Sequence, residues 1–166
     1  TETESAELER MIASAYQRFE HADVTPVVKL SEREHILELW HGPTMAFKDV
    51  ALQMLPHLMC DSLRQTGETK QVYILVATSG DTGKAALEGF QDVAGTRVLV
   101  FYPEGGVSEA QRLQMVTQEG GNVDVCAVRG NFDDAQTGVK QIFASKEISD
   151  VLEQKGYRLS SANSIN

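Results

Sequence analysis

Short apolar runs of strand length alternate in this chain with segments whose apolar residues recur every three or four positions. Three of the runs are almost entirely apolar, at residues 72–76, 98–101 and 123–128. Such runs are typical of strands in a parallel sheet that is covered on both faces. Since parallel strands are joined by right-handed crossover connections, the alternation predicts an α/β fold with three layers, α/β/α, around a mostly parallel sheet.

The residues before the first of these runs predict further elements. Helical spacing of apolar residues from Leu8 to Phe19 predicts an amphipathic helix, so that residues 1–35 form a leading helix and a connector. The parallel α/β domain then covers residues 36–166 and begins with a strand at residues 36–40. Another helix starts near Phe47, and Pro56 predicts a kink in it or an early end.

Hydrogen-bonding side chains mark the starts of two later helices. Ser108 and Gln111 have the spacing of a capping box, in which each side chain bonds the backbone of the other residue. Asn131 can cap the next helix, and residues 157–159 predict a last strand. These signals extend the alternation of strands and helices to the end of the chain.

The charge and the composition argue against several classes of partner. Asp and Glu number 24 against 15 Lys and Arg, which gives a net charge of -9. Nucleic acids and anionic membranes require clustered positive charge, so neither partner is expected. Cys60 and Cys126 are far apart and the four histidines are dispersed, so no metal site is expected and a reducing, cytoplasmic location is favoured. The opening residues have neither the positive start nor the apolar run of a secretory signal.

A lysine stands at the boundary between the predicted strand at 36–40 and the helix that follows it. The segment reads His41-Gly42-Pro43-Thr44-Met45-Ala46-Phe47-Lys48-Asp49. Apolar neighbours and the positive end of the helix dipole both favour the neutral amine at Lys48. A neutral amine can attack a carbonyl group and transfer protons. The alternative is a solvated lysine that extends from the helix start.

A polar turn follows the run at 72–76, in the order Thr78-Ser79-Gly80-Asp81-Thr82-Gly83-Lys84. It is not a Walker nucleotide loop, because Thr78 stands where that pattern needs glycine and Ala85 where it needs serine or threonine. Hydroxyl groups, glycines and the free amides of a helix start suit a carboxylate or a phosphate. A helix cap at Ser79 or Asp81 is the alternative. Because ligands collect at the carboxyl ends of parallel strands, we expect the turn and the lysine on neighbouring units of one sheet.

Four segments of this chain resemble threonine synthases and follow the same order. They are residues 41–49, residues 78–86, Gly130-Asn131-Phe132-Asp133-Asp134-Ala135-Gln136 and the closing Ser161-Ala162-Asn163-Ser164-Ile165-Asn166. The resemblance implies an enzyme of the tryptophan-synthase-like fold that depends on pyridoxal 5'-phosphate (PLP). Such an enzyme, a carbon–oxygen lyase of threonine biosynthesis, converts O-phosphohomoserine and water into L-threonine and phosphate. The sheet would be the smaller domain of that fold, with flanking elements.

The resemblance also implies roles for individual residues. Lys48 would form a Schiff base with the cofactor and transfer protons at the α and β carbons of the substrate, while the cofactor ring acts as the electron sink. Three more residues would lie at the cofactor: Phe47, Asn163 and Ser164. The substrate carboxylate would be held by Thr78, Ser79, Gly80, Asp81 and Thr82.

Members of this family are much longer than 166 residues. Their glycine-rich loop for the cofactor phosphate, and the group that pairs with the pyridine nitrogen, would follow Asn166. We therefore expect an excised internal piece of a threonine synthase that binds the cofactor weakly and has no turnover by itself. We also expect it to associate with the missing remainder, or with itself, through the apolar face that truncation exposes.

Two other functions are compatible with the same residues. Another PLP-dependent lyase of this fold, such as a phospho-lyase or a cysteate synthase, would use the same lysine on a related amino acid, and substrate assays would separate it from a threonine synthase. A non-catalytic α/β module would hold a small anion at residues 78–83, with Lys48 as a counter-charge.

Overall fold

The structure is a computed structural model and describes residues 3–162 of the chain. Its helices are α1 (Ser5–Tyr16), α2 (Asp49–Leu52), α3 (Leu55–Thr66), α4 (Asp81–Gly89), α5 (Glu109–Val116), α6 (Phe132–Ala144) and α7 (Lys146–Gln154). Its strands are β1 (Val27–Lys29), β2 (His35–Leu37), β3 (Gln71–Ala77), β4 (Thr96–Pro103), β5 (Val123–Val128) and β6 (Tyr157–Ser160).

Four of the strands form a parallel sheet in the order β5-β4-β3-β6. In the register of the two central strands, Val76 lies opposite Val100. Side chains alternate between the faces of a strand, so the even-numbered residues of β3 and β4 share one face. Ile74 and Val98 on that face are fully buried and belong to the main core, together with Phe90 at the end of α4.

Helices cover the two faces of this sheet. On the even-numbered face, Val100 of β4 and Met115 of α5 both lie against Gly83 of α4. On the other face, α6 packs against β3 and β4, and its residues Val139 and Phe143 line a small cavity with Leu75. The predicted α/β/α layering around a parallel sheet is confirmed.

The predicted strand at residues 36–40 is wrong in its length and in its sheet. Strand β2 ends at Leu37 and pairs antiparallel with β1, with Val28 opposite Ile36, in a separate two-stranded sheet. Residues 31–34 form a tight connection in which the Leu30 N–H donates to the Glu34 carbonyl. Two short runs joined in this way pair locally as a hairpin. Lys48 therefore does not follow a strand of the parallel sheet.

The helix predicted from Phe47 is divided, as Pro56 indicated. The chain leaves α2 after Leu52 and starts α3 at Leu55, so that Pro56 lies in the first turn of α3. A proline is tolerated there because its missing N–H would have no partner within the helix. The leading helix is shorter than predicted and ends at Tyr16.

Both predicted caps are present. Ser108 and Gln111 form the capping box of α5, and Asn131 forms a second one with Asp134 at the start of α6. The helix α7 was not predicted; Ser145 ends α6 and also caps α7 by accepting from the N–H of Ile148. Within the described part of the chain, no helix is long and apolar enough to cross a membrane.

Candidate functional site

Lys48 occupies the position immediately before α2, and its side chain is half-buried. Its Nζ lies 4.5 Å from the centre of the Phe47 ring, close enough for a cation–π contact. The Phe47 side chain is 56% exposed, so the ring and the amine both lie near the surface. Among residues 3–162, no carboxylate forms an ion pair with Lys48. The amine is thus available for a reaction partner.

Asp49, the next residue, is fully buried and bonded to the loop that precedes it. Its Oδ2 accepts from the Thr44 backbone N–H at 2.8 Å, and its Oδ1 accepts from the Thr44 hydroxyl at 2.6 Å. Burial raises the pKa of the Asp49 carboxyl, the Thr44 bonds oppose that shift, and the charge of Glu88 adds to it. A Cβ at Gly42 would lie 2.5 Å from the Asp49 Cβ, so residues 42–44 pass directly over this side chain.

Helix α2 is held on two further sides. The Tyr16 hydroxyl of α1 donates to the Val50 carbonyl at 2.9 Å. A Cβ at Gly89 of α4 would lie 2.2 Å from the Leu52 carbonyl oxygen, so the backbones of α2 and α4 are in close contact. These contacts place the four residues of α2, and Lys48 with them, between α1 and α4.

The turn between β3 and α4 is organised by Thr78, which is almost fully buried. Its Oγ1 accepts from the N–H groups of Gly80 and Gly83, each at 2.9 Å. Gly80 is the N-cap of α4, with φ 143°, and no side chain caps the helix from that position. The alternative of a simple cap at Ser79 or Asp81 is wrong, because the hydroxyl of Thr78 folds back over the turn and takes that role.

Gln111 of α5 covers the outer side of this turn. Its Nε2 donates to Asp81 Oδ1 at 2.8 Å, and a Cβ at Gly80 would lie 2.3 Å from the same Nε2. The sequence indicated Gln111 only as the capping partner of Ser108. Its contact with the turn spans thirty positions, so no local pattern could have indicated it.

The turn retains hydrogen-bonding capacity for a ligand. In the part of the chain that the structure describes, the backbone N–H groups of Asp81 and Thr82 have no partner, and Ser79 is exposed. The nearby Lys84 is already engaged, because its Nζ donates to Glu88 Oε2 at 3.1 Å and also to Gln118. An anion would thus be bound by the amides and the dipole of α4.

The two predicted site segments belong to helices in contact, since Lys48 precedes α2, the turn precedes α4, and α2 packs on α4. The sequence had predicted that both segments lie on neighbouring units of one sheet. That prediction is wrong, because the turn follows β3 of the parallel sheet, whereas the strand before Lys48 belongs to the separate two-stranded sheet. Phe47 lies beside Lys48, whereas Asn163 and Ser164 fall outside the described residues. The roles of all these residues in binding stay predictions.

No protein-family model matches the chain. Threonine synthases of Pseudomonas aeruginosa and Saccharomyces cerevisiae are 44% and 41% identical to it, over 97% and 99% of this chain and 33% of each relative. A PLP-bound threonine synthase from Brucella melitensis has a TM-score of 0.85 and 44% identity, and the match covers 97% of this chain and 33% of that one. The resemblance seen in the sequence, and the fold, are confirmed. The chain spans about a third of the length of the relatives it matches.

Proposed function

We propose that this chain carries the lysine-bearing third of a threonine synthase, the enzyme that converts O-phosphohomoserine and water into L-threonine and phosphate. The observation that carries the proposal is Lys48 itself, a half-buried amine without an ion-pair partner in the described residues, in a chain 44% identical to a threonine synthase. The bonded loop around Asp49 supports it, because a reacting group requires a fixed position.

The residues around Lys48 fit the aldehyde end of PLP. A free amine is the group that binds an aldehyde covalently, and the Phe47 ring beside it offers an apolar surface to a flat heterocycle. When bound, PLP supplies a conjugated ring that withdraws electrons from the substrate carbons. The phosphate end would be held by residues of the two thirds of the relatives' length that this chain does not match.

The turn at residues 78–83 would hold the carboxylate of the substrate. The free N–H groups of Asp81 and Thr82 can donate to it, and Gly80 lets the ligand approach the backbone closely. Gln111 donates a hydrogen bond to Asp81 Oδ1 and so holds this carboxylate in one position. With the carboxylate fixed there, the Lys48 amine would take up and return protons at the α and β carbons of the substrate.

Substitution of the lysine tests this proposal. With PLP in excess, followed by borohydride reduction, we expect the label to be found mainly on Lys48, and Lys48→Ala to abolish both this product and the visible absorption of the bound cofactor. Lys146→Ala, at an exposed lysine of α7, is the control and should change neither. Label spread evenly over the lysines would contradict the proposal. Selective labelling without phosphate release from O-phosphohomoserine by the protein of full family length would favour another PLP-dependent lyase.

The proposed partners are O-phosphohomoserine and the remainder of a chain of threonine synthase length. By itself the 166-residue chain should bind PLP weakly and form no threonine, because the phosphate anchor is proposed to lie elsewhere. Efficient turnover by the purified chain would contradict this expectation. A cytoplasmic location is proposed from the free thiols of Cys60 and Cys126.

A further inference from the structure

We infer that Asp49 is a positioning residue for Lys48, because its buried carboxylate holds residues 42–44 over the start of α2 and thereby fixes the lysine that precedes it. The inference rests on the proposed function, since it concerns the reactivity of the same amine. Asp49 would position the lysine and would not touch the substrate.

The burial of Asp49 is unusual for a charged side chain. It is 0% exposed, and within residues 3–162 no cation forms an ion pair with it. A buried carboxylate costs free energy unless its oxygens are hydrogen-bonded, and here the two oxygens bind the N–H and the hydroxyl of Thr44. A neutral side chain of the same shape would avoid the cost of burying charge. The Asp49 carboxylate next to Lys48 therefore lowers the free energy of unfolding.

The loop before α2 is shaped around this carboxylate. At Gly42 a Cβ would lie 2.5 Å from Asp49 Oδ2, so only glycine fits while the side chain stays in place. Pro43 restricts the backbone at the next position. Met45 has φ 59°, a left-handed conformation that is strained for a residue with a side chain. The strained backbone at Met45 and the close contact at Gly42 indicate that the conformation of residues 42–45 is fixed by packing on the Asp49 side chain.

Lys48 is coupled to Asp49 through the backbone of α2. The Lys48 carbonyl accepts from the N–H groups of Ala51 at 3.2 Å and Leu52 at 2.9 Å, so Lys48 moves with α2. A helix of four residues has little stability of its own. The later residues of α2 are held by the Tyr16 bond to Val50 and by the close contact of Gly89 with Leu52. At the end that carries the lysine, the Asp49 N–H donates to the Ala46 carbonyl at 3.0 Å, and the Asp49 side chain is bonded to Thr44.

The test compares labelling of Lys48 by PLP with labelling of exposed Lys146 in the same chain, after borohydride reduction and quantification by mass spectrometry. We expect Asp49→Ala to lower the ratio of Lys48 to Lys146 label at least about tenfold, because small displacements of a reacting group cost large rate factors. Asp49→Asn should keep the ratio within about twofold, since an amide can accept from the Thr44 N–H and donate to the Thr44 hydroxyl.

Asp61 offers a matched control. It is 6% exposed, lies in α3, and accepts hydrogen bonds from Thr3, Arg64 and Gln65, none of which belongs to residues 42–49. Asp61→Ala should lower the melting temperature and leave the label ratio unchanged. If Asp49→Ala does not fold, Thr44→Val removes only the hydroxyl bond and should lower the ratio severalfold, whereas Thr44→Ser should not.

Each outcome decides a different question. A selective wild-type protein with an unchanged ratio in Asp49→Ala, or in Thr44→Val where the former does not fold, overturns the positioning role and leaves the proposed function standing. An equal loss in Asp49→Asn and Asp49→Ala also overturns it, because the charge would then matter and the hydrogen bonds would not. A wild-type protein that labels Lys48 and Lys146 equally overturns the proposed function and this inference with it.

Discussion

The burial of Asp49 lowers the stability of the folded protein when its carboxyl is ionised. Burial raises the pKa of its carboxyl above the ordinary value of 3.8, so the folded state favours the protonated form. A raised pKa contributes stability that is complete below the unfolded pKa and is lost as the pH rises through the folded pKa. The ionised Asp49 therefore weakens the fold at neutral pH.

Asp49→Asn should reverse this effect. We expect the free energy of unfolding of the variant to increase relative to that of wild type as the pH is raised from about 4 to about 7, because only wild type has a carboxyl at this position and its pKa is higher in the folded than in the unfolded state. Denaturant titrations at several pH values measure the difference. A difference that moves in favour of wild type with rising pH would mean that the charge is stabilised in the folded state.

Thr78 is a residue whose structural role is distinct from the binding role predicted for it. Its hydroxyl satisfies two buried N–H groups, those of Gly80 and Gly83. Thr78→Val keeps the shape and removes the acceptor, which should cost about 1–3 kcal/mol of unfolding free energy. Thr78→Ser keeps the hydroxyl and should cost less. Equal stability of the two variants in chemical denaturation would show that the turn does not depend on these bonds.

At the scale of elements, the site depends on how closely α2 and α4 approach. Gly89 allows the contact, because a Cβ there would meet the carbonyl oxygen and carbon of Leu52 at 2.2 Å and 3.0 Å. These are backbone atoms, which cannot rotate away as a flexible side chain can. The close packing of the C-terminal ends of α2 and α4 therefore requires a glycine at position 89.

Gly89→Ala should destabilise the protein by about 1–3 kcal/mol, the usual cost of overpacking, and should displace α2. Gly138→Ala is the matched control, because Gly138 lies in α6 with nothing within 4 Å of an added Cβ. There the higher helix propensity of alanine should stabilise by up to about 1 kcal/mol. Similar melting temperatures for the two variants would contradict the close approach of α2 and α4.

At the scale of the whole molecule, exposed apolar side chains are concentrated in residues 27–47. The hairpin of β1 and β2 exposes 64% of Val27 and 52% of Leu37, and Met45 near the lysine is 72% exposed. Large apolar surfaces of this kind in a soluble domain mark interaction sites or promote association. The open edges of a two-stranded sheet add unpaired backbone groups.

We therefore expect the chain to associate with itself at high concentration. Val27 and Leu37 lie opposite each other in the hairpin, so Val27→Lys with Leu37→Glu removes apolar surface and leaves an opposite-charge pair across the strands. The double variant should elute as a smaller species in size-exclusion chromatography, whereas Leu113→Glu, at an exposed position of α5, should not. A wild-type chain that stays monomeric at high concentration would contradict the prediction.

Much of the fold could be predicted from the sequence because its signals are local. The apolar runs of β3, β4 and β5, the capping boxes at Ser108 and Asn131, and the helix break at Pro56 all depend on neighbours within a few positions. The candidate lysine and the anion turn were recognised in the same way, from short motifs and their resemblance to a family. The match with a threonine synthase over 97% of the chain confirms the family resemblance, and the roles of the lysine and the turn stay predictions.

Long-range contacts decided the rest. The sequence by itself determined the elements of the parallel sheet and the family resemblance, and it singled out Lys48 as the candidate amine. Only the tertiary structure placed β2 in a separate sheet, brought Gln111 against Gly80, and set Gly89 against the backbone of Leu52. Periodicity and capping depend on residues three or four positions apart, so the sequence shows them directly. The contacts of a buried group depend on how segments that are distant in the chain pack together, so only the tertiary structure shows them.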